Sequence, residues 1–393
     1  MKVYLDYAAT APTKKEVFLA MEPYFKASFG NPSSIHECGQ SARKAVDNAR
    51  EKIAKFLNCQ TSEIVFTGCG SEADNQAITG LISGLRTVGK PHIITSAIEH
   101  HAVIKTCQDL VKRGMATVIY LKPNRDGIIE PQKVKSAINS DTVLVTIMYV
   151  NNEIGTIQPI REIGKMLEKI NQNRKQRIYF HTDAVQAAEY LPVDVNYLHV
   201  DLLTLAGHKI GAPKGIGLLY IRKGTILRSI IHGGEQEMGL RAGTENVPYI
   251  VGLGKAIELI DKEQISVEKV YKLRDYFIDQ IIKKIPEVYL NGSRDIRAPH
   301  IANFYFKDIE GESIVLSMDL EGVACSTGSA CTSQSLEPSR VIMSIYNNAW
   351  RSAGSVRFSL SKNTTQRELD FAITKLTKVV ERLRQISPYY NKE

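Results

Sequence analysis

At 393 residues and 43.8 kDa, with 43% hydrophobic and 23% charged residues, the chain can support more than one hydrophobic core, and two domains are the natural expectation. The 50 Lys and Arg exceed the 42 Asp and Glu by only eight, spread along the sequence, so neither a nucleic-acid partner nor a strongly acidic one is required. Six cysteines without a CxxC disfavour a disulfide scaffold and a structural zinc site, and MKVYLDYAATAP has no signal-peptide run; a cytoplasmic protein with reduced thiols, no bound metal and no membrane contact is expected.

From about residue 37 to 255, short β-branched apolar runs alternate with helical periods, the pattern of α/β units on a mostly parallel sheet. Seven strands are predicted, at 64–67, 92–96, 117–121, 143–148, 177–182, 202–206 and 217–221, with helical stretches at 72–85, 102–113 and 160–170 between them. Several are apolar at consecutive positions, as strands covered on both faces are. The basic stretch Lys169 to Arg177 reads as a solvated loop.

After Gly254 the texture changes. Residues 255–284 form a long charged amphipathic stretch, and a mixture of short strands and helices follows. The predicted division is a large α/β domain over 15–255 and a smaller α+β domain from 1–14 and 256–393. The run GVACSTGSACTSQS, Gly322 to Ser335, reads as a mobile loop carrying Cys325 and Cys331, with nothing in it to anchor a core.

The strongest chemical signal is Ala206-Gly207-His208-Lys209 at a strand end, the edge where ligands bind in α/β sheets. Such a lysine can form a Schiff base. Pyridoxal phosphate needs that amine, a carboxylate beside its pyridine nitrogen and a phosphate cup. Asp183 and Gln186 leave the preceding strand at the same edge, although a carboxylate there can equally cap a helix. Gly68-Cys69-Gly70-Ser71-Glu72 opens a helix with small residues, as an anion cup would. In Glu99-His100-His101 either histidine could cover a ring and move protons, or simply start a helix.

With these residues in view, the sequence closely resembles the cysteine desulfurases of the NifS and IscS type, within the class V aminotransferase-like, fold type I pyridoxal-phosphate enzymes. The resemblance runs in order through YLDYAATAP, FGNPSSIH, SEADN, EHHAV, VNNEIGTIQP, HTDAVQ, AGHKIGAPKGIG, RAGTENV, STGSACTSQSLEPS and VRFSL, nearly the whole chain. It implies Lys209 as the Schiff-base lysine, Asp183 as the pyridine partner and Gln186 as the amide near the phenolic oxygen. His100 matches the ring-stacking histidine, leaving His101 without a role. Gly70, Ser71 and His208 match phosphate ligands, and Thr244 a residue reaching the phosphate of a partner subunit, hence a homodimer. Asn152 and Arg357 match the groups holding the substrate α-carboxylate. Cys331 matches the nucleophile that takes sulfur from L-cysteine as a persulfide, leaving L-alanine. Iron–sulfur scaffold proteins or tRNA-thiolation relays are the implied acceptors, with transient cluster contact through Cys331.

Two features depart from the family pattern. Ala206 stands where a serine is usual, removing one hydroxyl from the phosphate site, a loss worth about 1.5 to 3 kcal/mol for a hydrogen bond to a charged group. Cys69 sits in the phosphate turn and Cys325 six residues before Cys331. Selenocysteine lysis, transamination or a non-catalytic sulfur-carrier scaffold are the competing readings; a colourless protein would favour the last.

Overall fold

The structure is a computed structural model describing residues 1–85, 89–262, 266–327 and 338–390. Cys331 lies outside the described residues. Strand β1 (Val3–Tyr4) starts the chain. Strands β2 (Ile64–Thr67), β3 (His92–Ser96), β4 (Thr117–Leu121), β5 (Thr142–Thr146), β6 (Tyr179–Asp183), β7 (Leu202–Ala206) and β8 (Gly217–Ile221) form one sheet in the order β2-β8-β7-β6-β5-β3-β4. The pairings from β7 to β4 are parallel, and β8 runs antiparallel to both β7 and β2. This is the expected mixed α/β fold with a mostly parallel seven-stranded sheet.

Alternation along each strand divides its side chains between two cores. Ile64, Phe66, Val145, Phe180, Leu203 and Leu205 face one, closed by the helices Glu37–Leu57 and Val247–Lys262. Val65, Leu144, Tyr179, Leu202 and Leu219 face the other, under Gly70–Asn75 and His101–Lys112. Burial on both faces explains the continuous apolar runs. Two strand ends differ from expectation. β6 begins at Tyr179 because the Asn171 amide takes both backbone groups of Ile178, at 2.8 and 2.9 Å, and β5 stops at Thr146. The helix expected from Glu72 starts at Gly70 and widens into a π-helical turn at Gln76–Gly80.

The stretch 169–177 is less loop-like than its composition suggests. The helix Ile160–Asn171 takes its first residues, and Arg174 ties it to the carbonyls of Asn139, Ser140 and Thr142. Likewise the described residues of 255–284 belong to two helices, Val247–Lys262 and Ser266–Lys284.

A further core lies beneath an antiparallel sheet of β9 (Val288–Leu290), β10 (Ile301–Phe306) and β12 (Ser355–Ser359), ordered β12-β10-β9. The helices Ser266–Lys284, Gly311–Leu320 and Gln366–Ile386 cover it. Strand β11 (Val323–Ala324) pairs in parallel with β1. Here the expectation for Gly322 to Ser335 needs correction: Val323 and Cys325 are buried in this core, because pairing with β1 carries Val3 and Leu5 in beside them. Among the described residues no helix is long and apolar enough to cross a membrane.

Candidate active site

Strands β6 and β7 end side by side at Asp183 and Ala206. Because β8 is antiparallel to both neighbours, β2 points the same way as β7, and Thr67 and Ala206 both pair with Gly217. Three chain segments therefore leave one edge together. Gly217 makes that convergence possible, since a Cβ there would lie 2.7 Å from the Cys69 carbonyl carbon and 2.9 Å from the Leu205 oxygen. A single turn, Gly207–Lys209, then brings the lysine into a cavity of about 370 Å³.

Of the residues singled out in the sequence, Gly70, Ser71, His100, Asn152, Asp183, Gln186, Ala206, His208, Lys209 and Arg357 all line this cavity. Thr244 does not. It lines a separate cleft of about 210 Å³ with Gly68, Arg241 and Glu237.

The Lys209 amine donates to the Ala8 and Ala9 carbonyls, both at 2.7 Å. Asp183 accepts from the Val185 N–H at 2.9 Å; burial pushes its carboxyl up to about 6, against that bond and the Lys209 charge. The Gln186 amide donates to the Ala8 carbonyl at 2.8 Å and pairs through Oε1 with His300 Nε2 at 3.2 Å. His100 Nδ1 accepts from the Ala102 N–H at 3.2 Å, so its proton sits on Nε2. Burial, then the charges of Lys209 and Arg340, lower His100 to about 4, well below the near-neutral value its residue type suggests. His208, 3.2 Å from Thr10 Oγ1, is lowered to about 4 by burial and Lys209. Both rings are neutral at pH 7.

Arg357 donates to the Asn152 carbonyl at 2.7 Å and to Asp6 at 2.9 Å, while its buried Nε has no partner among the described residues. Asn152 is positioned by its neighbour: Asn151 Oδ1 accepts from the N–H groups of Glu153 and Ile154 at 3.0 and 2.9 Å, and its amide donates to the Ile98 carbonyl. The phosphate-cup expectation rests on a braced turn. Glu72 accepts from the Gly68 N–H and from Arg241 Nε, each at 2.9 Å, and a Cβ on Gly70 would meet Val185 at 3.2 Å and Ala206 at 3.3 Å.

Sequence reasoning missed several contributors. Ala8, Ala9 and Asp6 lie in YLDYAATAP, a segment noticed for its family likeness but given no chemistry. Asp74, one helical turn after Gly70, also lines the cavity, and its carboxylate, that of Asp183 and a His100 nitrogen come within 4.8 Å of one another. Two ionised carboxylates at that separation would repel by about 3 kcal/mol at an effective dielectric constant of about 20. Glu99 is fully buried, accepting from Ser96 Oγ at 2.5 Å and the Met148 N–H at 3.0 Å, and burial raises it to about 8.

The chain on either side of Cys331 is fastened beside the cavity. Ser326 exchanges backbone hydrogen bonds with Arg357 at 3.1 and 2.6 Å, and Ser339 Oγ donates to Glu153 at 2.5 Å.

Known proteins resemble this chain over nearly its whole length. The model of the aminotransferase class-V family matches residues 3–371. A cysteine desulfurase IscS of Dictyoglomus turgidum is 51% identical over 392 residues, covering 99% of this chain and 97% of that protein. One from Methanosarcina thermophila is 47% identical, covering 100% and 95%. Among solved structures, a NifS-like protein superposes with a TM-score of 0.90 at 32% identity, over 98% of this chain and 100% of its own. A structure described as SspA in complex with cysteine gives 0.80 at 38% identity, over 93% and 100%. The chain belongs to the class-V aminotransferase family.

Proposed function

We propose that this protein is a pyridoxal-phosphate-dependent cysteine desulfurase, converting L-cysteine to L-alanine and leaving the sulfur as a persulfide on Cys331. One observation carries the reading: the Lys209 amine, the Asp183 carboxyl, His100 and Arg357 converge on one cavity at the mouth of the sheet. Relatives at 51% and 47% identity are named cysteine desulfurases.

The cavity residues fit the cofactor. It holds an amine, a buried carboxyl and a small-residue wall at Gly70 and Ala206, and the orphaned buried donor Arg357 Nε leaves a place for the substrate's carboxylate beside them. In this reading Asp183 holds the ring nitrogen, Gln186 the phenolic oxygen, and Gly70, Ser71 and His208 the phosphate, while His100 covers the ring. When bound, pyridoxal phosphate supplies an electron-withdrawing ring for the substrate's α-carbon.

The protein's own groups do the rest. Arg357 and Asn152 orient the substrate through its α-carboxylate. The Lys209 amine takes and returns protons at the α-carbon. Burial and the nearby Lys209 and Arg340 charges lower His100 to about 4, so its ring carries no standing charge at neutral pH. The Cys331 thiolate attacks the substrate sulfur: an S–S bond forms as the C–S bond breaks, and the C–S electron pair stays on carbon, which takes a proton. Sulfur is oxidised and carbon reduced in the same step, so no external oxidant enters.

Chain connectivity supports the role of Cys331. Cys331 follows Ser326 by five positions, so an extended chain could carry it no more than about 17 Å from an anchor beside Arg357. The reading includes a homodimer in which Thr244 serves the phosphate site of a second copy, supported by its separation from Lys209's cavity and by exposed Phe29 and Ile35. It includes a cytoplasmic location, with the described cysteines all free, and sulfur acceptors of the iron–sulfur scaffold or relay kind. It also divides the chain into a cofactor domain at 15–255 and a smaller domain from 1–14 and 256–393, supported by the core that joins Val3 and Leu5 to Val270, Phe304 and Leu376.

The test is alanine and sulfide production from L-cysteine with dithiothreitol, alongside the visible spectrum. A yellow protein that loses its colour in Lys209→Ala and its sulfide release in Cys331→Ser is expected. A colourless wild type would overturn the cofactor reading. Folded Cys331→Ser that still releases sulfide would overturn the nucleophile, and activity on selenocysteine alone would indicate a lyase.

A further inference from the structure

The side of the sheet beneath the helix Gly70–Asn75 carries a polar row where apolar residues would be expected. Thr146 on β5, His181 and Asp183 on β6 and Thr204 on β7 sit on neighbouring strands, Thr146 opposite His181 and Asp183 opposite Thr204. All four are buried, as is Asp74 above them. Thr146 Oγ1 lies 2.8 Å from His181 Nδ1, and His181 Nε2 lies 3.1 Å from Thr204 Oγ1. The Thr204 hydroxyl in turn hydrogen-bonds Asp74. A Thr204 hydroxyl turned toward Asp74 accepts from His181 Nε2 and leaves His181 Nδ1 to accept from Thr146.

That leaves the other Asp74 oxygen, Oδ1, buried without a hydrogen-bond partner among the described residues. Its nearest basic group is His181 Nε2 at 3.7 Å, already committed to Thr204. The other groups facing Asp74 are Asp183 and Glu99, both acidic, with Cys69 from its own turn and the uncharged His100. Asp183, by contrast, has a backbone donor and the Lys209 charge to hold its ionised form. Of two carboxyls within 4.8 Å, only Asp183 is equipped to be the anion.

We propose that Asp74 carries a proton in the native protein and acts as a neutral positioning residue for Asp183, keeping a single negative charge in the pair and directing it toward the cofactor's ring nitrogen. This deepens the desulfurase reading and rests on it for the role of Asp183, but the protonation of Asp74 does not. Burial, with the Asp183 charge as the next cause, moves the Asp74 carboxyl well above the usual carboxylate range. Burial also lowers His181 to about 3, so the row supplies no cation to pair with an ionised Asp74.

The test is infrared spectroscopy of the purified protein at pH 7, with carboxyl-¹³C aspartate incorporated. A protonated-carboxyl band that shifts with the label and vanishes in Asp74→Asn is expected. Glu99 is an internal control, since aspartate labelling leaves its band in place. Absence of any label-sensitive band, or its survival in Asp74→Asn, overturns the proposal. A second readout is cofactor affinity followed by visible absorbance. Asp74→Asn, an uncharged isostere, should keep it within about twofold, and Asp74→Ala should weaken it about tenfold. Asn and Ala equally damaging would mean that a carboxylate charge is required, which also overturns the proposal. Should the variants fail to fold, the labelled wild-type band alone decides. A colourless protein with that band intact would sink the cofactor reading and leave Asp74's proton standing.

Discussion

His300 braces Gln186. The ring donates from Nε2 to the amide oxygen at 3.2 Å, lies flat against Tyr190 with centroids 4.2 Å apart, and so leaves the amide nitrogen facing the Ala8 carbonyl. His300 immediately precedes β10 and Gln186 follows β6, so a residue of the three-stranded sheet's segment fixes an amide at the mouth of the large sheet.

The variant His300→Phe keeps the stack on Tyr190 and removes the donor. It should lower stability by about 1–3 kcal/mol in urea unfolding, the penalty for a buried amide oxygen left unpaired, and shift the visible spectrum of the bound cofactor. An unchanged spectrum with lowered stability would confine His300 to packing.

Glu99 gives stability a pH slope. Its folded value of about 8 lies above the ordinary carboxylate value, so the native state binds more protons than the unfolded chain between about pH 4.5 and 8. Its contribution is fully present at the acid end and is lost as pH rises through 8. Glu99→Gln, which cannot ionise, should therefore gain on wild type between pH 5 and pH 9. Parallel urea midpoints across that range would refute this.

Arg297 is fully buried, and its guanidinium donates to the carbonyls of Ser293, Ile154 and Asn291. It joins the loop carrying Asn152 to the approach to β10. Arg297→Met should lower stability by about 3 kcal/mol or more, since several carbonyls lose their donor together. Arg297→Lys should recover little of it, because an ammonium cannot reproduce the planar fork.

Gly217→Ala tests the convergence of the three strand ends. The added methyl meets backbone atoms of Cys69 and Leu205 below 3.0 Å, so the anion-cup turn must shift. A loss of about 1–3 kcal/mol is expected, together with weaker cofactor retention. Stability reduced with cofactor affinity intact would show that the turn absorbs the strain.

Arg357→Lys should raise KM for L-cysteine about tenfold or more while kcat changes less, since a lysine loses both the bidentate fork and the Asp6 and Asn152 contacts that aim it.

The parallel strands were legible in the sequence because burial on both faces writes itself as consecutive apolar residues, as at Leu202 to Ala206. Lys209, Asp183 and Gln186 were legible because a strand end is both a local pattern and a place where ligands bind. What stayed hidden depends on distant pairing. Cys325 looks like loop among Ser and Gly, and only β1, more than three hundred residues earlier, turns its neighbourhood into a strand. Asp74 had a local signal, its one-turn spacing from Gly70, but its character comes from Thr204 and Asp183 on strands that sequence spacing does not bring beneath it. His100 was recognisable by type, yet its acidity comes from burial and from Lys209 and Arg340, none of which is adjacent in sequence.

The anchors at Ser326 and Ser339 also separate two kinetic orders. If Cys331 takes the sulfur as proposed, it belongs to the same chain as the cavity, so the capture step is intramolecular. Sulfur capture by Cys331 would then proceed at a rate that dilution leaves unchanged. Hand-off to a separate acceptor remains bimolecular, so halving both protein concentrations slows that step alone.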